Sequence, residues 1–197
     1  MYGIYDGGAV IAQFVAPMTV RSNQPVFVAD TLSLKRSTKK RGAQRWEIET
    51  HLMPLVHTAN ELFVDLITKG HTAPTQIITP QNYGVIKRRT SNSPSVTATG
   101  NKHASIITIA SNSGLIPKGT FIRFSVNSKV YITTEDITGN GQVGIYPALQ
   151  ADLSASSMTH QDDVIMNCYY DLDVLSGMVY TDGIVMDSGA VKLVEAL

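Results

Sequence analysis

The sequence predicts a mainly β protein with one flanking helix: a discontinuous β-domain, about residues 1–90 and 171–197, interrupted by a small inserted β-barrel, about residues 95–170. Three observations predict it. Short apolar runs alternating with polar residues recur through the chain, and a period of two with one wet face is the mark of an antiparallel strand. Only one stretch, near residue 60, carries a helical period. Between Lys87 and Pro94 the chain turns polar and basic, Lys-Arg-Arg-Thr-Ser-Asn-Ser-Pro, which reads as a linker.

In chain order, Gly7-Gly8 precedes Ala9 to Ala16, a buried first strand by composition, and Pro17 and Pro25 bracket a short extended piece, Met18 to Ser22. Val26 to Pro54 reads as a two-stranded ribbon. Along Val26 to Leu34 the even positions are apolar except Asp30; along Gln44 to Leu52, Trp46, Ile48 and Leu52 share one face and Arg45, Glu47, Glu49 and His51 the other. Lys35 to Ala43 forms the tip between them. Six of the sixteen Lys and Arg residues, Lys35, Arg36, Lys39, Lys40, Arg41 and Arg45, fall within eleven positions without an acid. Such a loop repels itself and projects into solvent or towards an acidic partner. Trp46, Ile48 and Leu52 are expected to anchor the ribbon, and the six cations to reach a neighbour.

After Pro54, Thr58-Ala59-Asn60-Glu61 has the form of a capping box, Leu62, Phe63, Leu66 and Ile67 form an apolar stripe, and Lys69-Gly70 ends a helix of about three turns. Gln76 to Pro80 is a further short strand. In the inserted region the expected strands are His103 to Ala110, Phe121 to Val126, Lys129 to Thr134, Gly141 to Pro147 and Asp163 to Tyr170, with hairpin turns at Asn127-Ser128 and Thr138-Gly139-Asn140-Gly141. Val191 to Glu195 is a last strand, expected to return to the first domain.

At 197 residues with 43% hydrophobic content and no net charge, the chain is a globular one. Neutrality hides an asymmetry: residues 1–99 carry eleven Lys/Arg and six Asp/Glu, residues 100–197 five and ten. A molecule of this polarity can stack basic end on acidic end. The single cysteine, Cys168, excludes an internal disulfide, and its place in the alternation Val164, Met166, Cys168, Tyr170 makes it a buried small hydrophobe. No signal peptide is expected, and no apolar run has the roughly 18–20 residues of a membrane span.

The sequence holds little chemistry. Thr138 to Gly141 lacks the Gly-Lys-Ser/Thr of a phosphate loop. Asp162-Asp163 and Asp171-x-Asp173 lack the glycine and distal glutamate of a calcium loop, and His51, His57, His71, His103 and His160 have no ligand spacing. No serine sits in a Gly-x-Ser-x-Gly elbow. Neither an enzyme nor a cofactor is expected. A nucleic-acid-binding module using the basic tip is the alternative, with a carbohydrate-binding barrel as a third reading.

Two stretches together resemble tailed-bacteriophage tail and baseplate proteins. The first is Lys40-Arg41-Gly42-Ala43-Gln44-Arg45-Trp46-Glu47. The second runs from Gly114-Leu115-Ile116-Pro117-Lys118-Gly119-Thr120-Phe121 through Lys129-Val130-Tyr131-Ile132-Thr133 to Gly144-Ile145-Tyr146-Pro147-Ala148-Leu149, and looks like an inserted β-barrel of such proteins. Residues 182–197 are similar in style. The resemblance implies a tail-tube-like β-domain in a structural subunit of the tail tube, distal tail or baseplate hub. It also implies homo-oligomeric rings, commonly sixfold, contacts with other tail proteins around a DNA channel, and a place in the virion after synthesis in the host cytoplasm. One departure stands out: relatives often carry Gly-Asp where this chain has Gly119-Thr120.

Overall fold

The computed structural model describes residues 2–40, 42–53, 59–70, 72–81, 96–160, 164–171, 179–181, 185–187 and 189–197; for Lys40 and for 59–61, 63, 66, 179–181 and 185–187 it describes the backbone alone. The Thr58 cap, His57, His71, Arg41, the linker Lys87 to Pro94, Asp162-Asp163 and Asp173 lie outside the described residues.

The elements are β1 (Gly3–Asp6), β2 (Ala9–Asn23), β3 (Val26–Asp30), β4 (Arg36–Lys40), β5 (Arg45–Leu52), α1 (Ala59–Lys69), β6 (Thr75–Ile78), β7 (Thr97–Gly100), β8 (Ile106–Ala110), β9 (Leu115–Ile116), β10 (Phe121–Phe124), β11 (Val130–Thr133), β12 (Ile137–Thr138), β13 (Gly141–Tyr146), β14 (Leu153–Thr159), β15 (Ile165–Tyr170), β16 (Val179–Thr181), β17 (Val185–Asp187) and β18 (Ala190–Glu195). The protein is mainly β, with two closed six-stranded barrels: β1-β2-β5-β18-β15-β6 and β10-β11-β13-β8-β7-β14. Three two-stranded ribbons remain, β3-β4, β9-β12 and β16-β17. Two compact units are distinguished, residues 1–13, 75–167 and 197 in one and residues 14–74 and 168–196 in the other.

Alternation decides which side chains of the first barrel are buried. Trp46, Ile48 and Leu52 of β5 are buried while Arg45 and His51 are exposed, and Met166, Cys168 and Tyr170 of β15 and Val191 and Leu193 of β18 are buried likewise. The partners of β5 differ from the ribbon expected of it. It pairs with β18 and with the second half of β2, Val20 facing Ile48 and Ser22 facing Trp46, and not with residues 26–34. The expected first strand, Ala9 to Ala16, and the piece bracketed by Pro17 and Pro25 are one long strand, β2, with a register shift between Val15 and Thr19. Ala12 alone in β2 is fully buried, so the apolar composition of Ala9 to Ala16 does not make it a core strand.

Helix α1 buries Leu62 and Asp65, whereas Val64 and Ile67 are exposed, so Ile67 is not on the packed face. The rotation is set by a polar anchor: the Tyr170 hydroxyl donates to Asp65 Oδ2 at 2.7 Å, and Asp65 pairs with Lys69 one turn on. Gly70, with φ 44°, ends the helix in the left-handed region, and the amides of Thr72 and Ala73 cap the Lys69 carbonyl.

The second barrel is filled by Val96, Ala98, Ile107, Ile109, Ile122, Phe124, Tyr131, Val143, Ile145 and Met158, among others. The Phe124 and Tyr131 rings meet with centroids 5.3 Å apart at 50°. The sequence predicts no strand at β7 or β14, because Ser and Thr dilute their apolar alternation. Conversely, residues 165–170 are not a strand of this barrel: β15 pairs with β18, Tyr169 opposite Val194. The connection between β10 and β11 is wider than a two-residue turn, since Arg123 faces Val130. Thr138 to Gly141 turns the chain from β12, which pairs with β9, into β13, which pairs with β8, so it is no hairpin. Thr120 is buried and serves as a donor. Its hydroxyl donates to the Pro117 carbonyl at 2.7 Å beside that of Thr133 at 2.9 Å, and an ionised carboxylate has no proton to give there.

Candidate assembly surface

The cationic cluster lies mostly on the arm formed by β3 and β4. The pairing runs Val26 to Lys40, Phe27 to Lys39, Val28 to Thr38, Ala29 to Ser37 and Asp30 to Arg36. The arm turns at residues 31–35, inside the run expected to be its first strand, Val26 to Leu34, and residues 36–40 of the expected tip, Lys35 to Ala43, are the strand β4. Thr31 makes the turn: its amide and its hydroxyl both donate to the Lys35 carbonyl at 3.1 Å, and its oxygen accepts the Lys35 amide at 3.2 Å. The Leu34 amide returns to the Thr31 carbonyl at 2.8 Å with Leu34 at φ 58°. A leucine in the left-handed region costs about 1–2 kcal/mol, which the turn's hydrogen bonds must hold.

The sequence-predicted residues are thereby separated. Lys35 stands at the turn, Arg36 and Lys39 along β4, and Lys40 at its end; Arg41 is outside the described residues, and Arg45 begins β5 opposite Asn23. Arg36 is paired with Asp30 at 3.1 Å, an exposed ion pair worth at most about 1 kcal/mol. Trp46, Ile48 and Leu52 belong to the first barrel, not to the arm. At the arm's base, buried Gln44 donates to the Ser22 hydroxyl at 3.0 Å.

What the alternation concealed is the arm's apolar character. Every residue of β3 is exposed. Phe27 is 56% exposed, Val28 54%, Leu34 89%, and Leu32 stands wholly in solvent. A pattern of Val, Phe and Leu at strand spacing reads identically whether the strand enters a core or leaves it. Among the described residues, ten of the thirteen exposed large hydrophobics belong to the unit of residues 14–74 and 168–196, with Val64 and Ile67 of α1 among them.

Among the described residues no three His, Cys, Asp or Glu side chains cluster as metal ligands. Asp171 accepts an ion pair from Lys192 at 2.8 Å, and that hydrogen bond raises the lysine's pKa. No described helix is long and apolar enough to cross a membrane. Cys168 is fully buried, and burial with the charge of nearby Glu195 pushes its thiol well above the ordinary value. A folded-state thiol that holds its proton longer than the unfolded one contributes stability below the unfolded value, near 8.5, that is lost as pH rises beyond it. Denaturant unfolding is therefore expected to show wild-type stability falling by up to about 1.4 kcal/mol per pH unit above that point relative to Cys168→Ala. Parallel pH profiles of the two proteins would show the thiol is not perturbed.

Searched against protein-family models and against curated proteins, the sequence returns no match.

Proposed function

We propose that this chain is a structural subunit of a tailed-phage tail ring, in the tail tube, distal tail or baseplate hub, whose β3-β4 arm docks on a neighbouring copy in the virion. The observation that carries this reading is the arm itself: a two-stranded ribbon with Phe27, Val28, Leu32 and Leu34 in solvent. Isolated two-stranded ribbons are marginal in water, and exposed apolar side chains of this size each yield about 1.5–3 kcal/mol when buried. Both larger sheets are closed and offer no edge for joining subunits, so contacts made through sheet edges fall to the ribbons. The occupant is a second copy because the charges complement: the arm adds its cations to a basic first half, and the second half is acidic. The placement in a phage tail rests on the resemblance of residues 40–47, 114–149 and 182–197.

One observation favours a nucleic-acid partner for the same arm: Phe27 faces Lys39 across the ribbon, an aromatic beside a cation. The two readings separate in one experiment. Native mass measurement of the wild type is expected to give a closed ring. A Phe27→Ser/Leu32→Ser/Leu34→Ser variant is expected to give a folded monomer with unchanged thermal unfolding of the barrels. A wild type that stays monomeric at high concentration overturns the assembly reading. So does a ring that survives in the triple variant while salt-sensitive DNA retention disappears with Lys39→Ser and Lys40→Ser.

A further inference from the structure

Outside the arm, the second barrel carries a built recess on its outer face. Ile122 and Phe124 of β10 are fully buried, so Arg123 between them projects outward, and Ser125 stands in the turn just past the strand. Across the sheet Arg123 is in register with Thr159 of β14, whose predecessor Met158 is buried. Arg123 and Thr159 therefore share one outer face, and with Phe124, Ser125 and Ile165 they line a cavity of about 190 Å³.

The guanidinium is held rigidly. Its Nε donates to the Asn127 carbonyl at 3.2 Å and its Nη1 to the Ile165 carbonyl at 3.1 Å. Two carbonyls fix the plane of the fork but supply no counter-charge, and at least two of its five N–H groups remain. Among the described residues no carboxylate pairs with it, although it is half-buried. Burial lowers its pKa, the direction expected of a cation short of an anion. The Ser125 and Thr159 side chains add two hydroxyl donors beside it.

We propose that the Arg123–Ser125–Thr159 recess binds a small tetrahedral oxyanion, phosphate being the simplest. A planar fork flanked by two rotatable hydroxyls presents donors from several directions, which suits a tetrahedral group. Pockets for drug-sized ligands occupy about 300–1,000 Å³, so this one admits an oxyanion group and little more. The source is either the free ion or the phosphomonoester end of a larger ligand.

The test is a titration of the full chain with inorganic phosphate at constant ionic strength, followed by backbone amide NMR. Saturable shifts confined to residues 123–125 and 159 are expected, with acetate giving weaker ones. The Ser125→Ala/Thr159→Ala variant keeps both arginine–carbonyl bonds and is expected to lose about tenfold or more in affinity. Arg123→Lys keeps the charge without the fork and is expected to lose the preference for phosphate over acetate. Glycerol phosphate binding more tightly than phosphate assigns the recess to the end of a larger ligand; equal or weaker binding assigns it to the free ion. Absence of saturation in the wild type overturns the proposal, as does equal phosphate affinity in the wild type and the double alanine variant.

Discussion

Asp65→Ala is expected to destabilise its unit by about 3 kcal/mol, read as a lower urea midpoint at unchanged slope. Asp65 is 4% exposed, accepts the Tyr170 hydroxyl and pairs with Lys69, so one charge-assisted hydrogen bond ties α1 to β15 and an ion pair within the helix holds the carboxylate in place. Its removal takes one acceptor from a phenol whose residue is 1% exposed and one carboxylate from the Lys69 ammonium. Lys69 keeps about a quarter of its side chain in solvent, which places the loss at the lower end of the roughly 3–5 kcal/mol for breaking a buried pair. Asp65→Asn still accepts from Tyr170 and should cost about 1–2 kcal/mol. In a double-mutant cycle, Tyr170→Phe should couple to Asp65→Ala by at least about 0.5 kcal/mol. Additive losses would show that the helix is held by its apolar face alone.

The second large effect is expected in the other unit. Tyr131→Ala should cost about 3–5 kcal/mol, because the ring lies fully inside the second barrel against Phe124 and its loss leaves a void between β10 and β11. Tyr131→Phe separates packing from polarity. The hydroxyl accepts the Gln150 amide at 3.2 Å and the Asn127 side-chain amide at 3.5 Å, the second too long to contribute much. Losing the first should cost about 1–2 kcal/mol, with the Gln150 amide showing faster hydrogen exchange. A phenylalanine variant as unstable as the alanine one would place the energy in the hydrogen bonds rather than in the ring.

These two anchors illustrate what was legible in the residues. Tyr131 stands in a strand whose alternation the sequence displays plainly, and β8, β10, β11 and β13 all begin or end within a few residues of their expected bounds. Asp65 was invisible, because a carboxylate on the buried face of a helix contradicts amphipathic patterning until its partner, more than a hundred residues away, is known. The same limit governs Ile67: the apolar stripe could be drawn through it only because nothing local records that Asp65 points inward.

The arm is the sharpest case. Composition by itself determined that Lys35, Arg36, Lys39 and Lys40 gather in a segment lacking acids between two strand-like runs, since charge density is a local property. It also determined that Trp46, Ile48 and Leu52 lie on one face, since side chains alternate along any strand. Which strand lies beside which was decided only by the tertiary structure. Side-chain and backbone bonds from Thr31 to Lys35 and Leu34 turn the chain within the apolar run, so β3 meets β4, and β5 is left to pair with β2 and β18. The register across a sheet depends on closing non-local ladders, and no period in the residues encodes the distant partner. The apolar side chains of β3 are consequently in solvent and those of β5 inside a barrel, although both segments read as strands in the sequence.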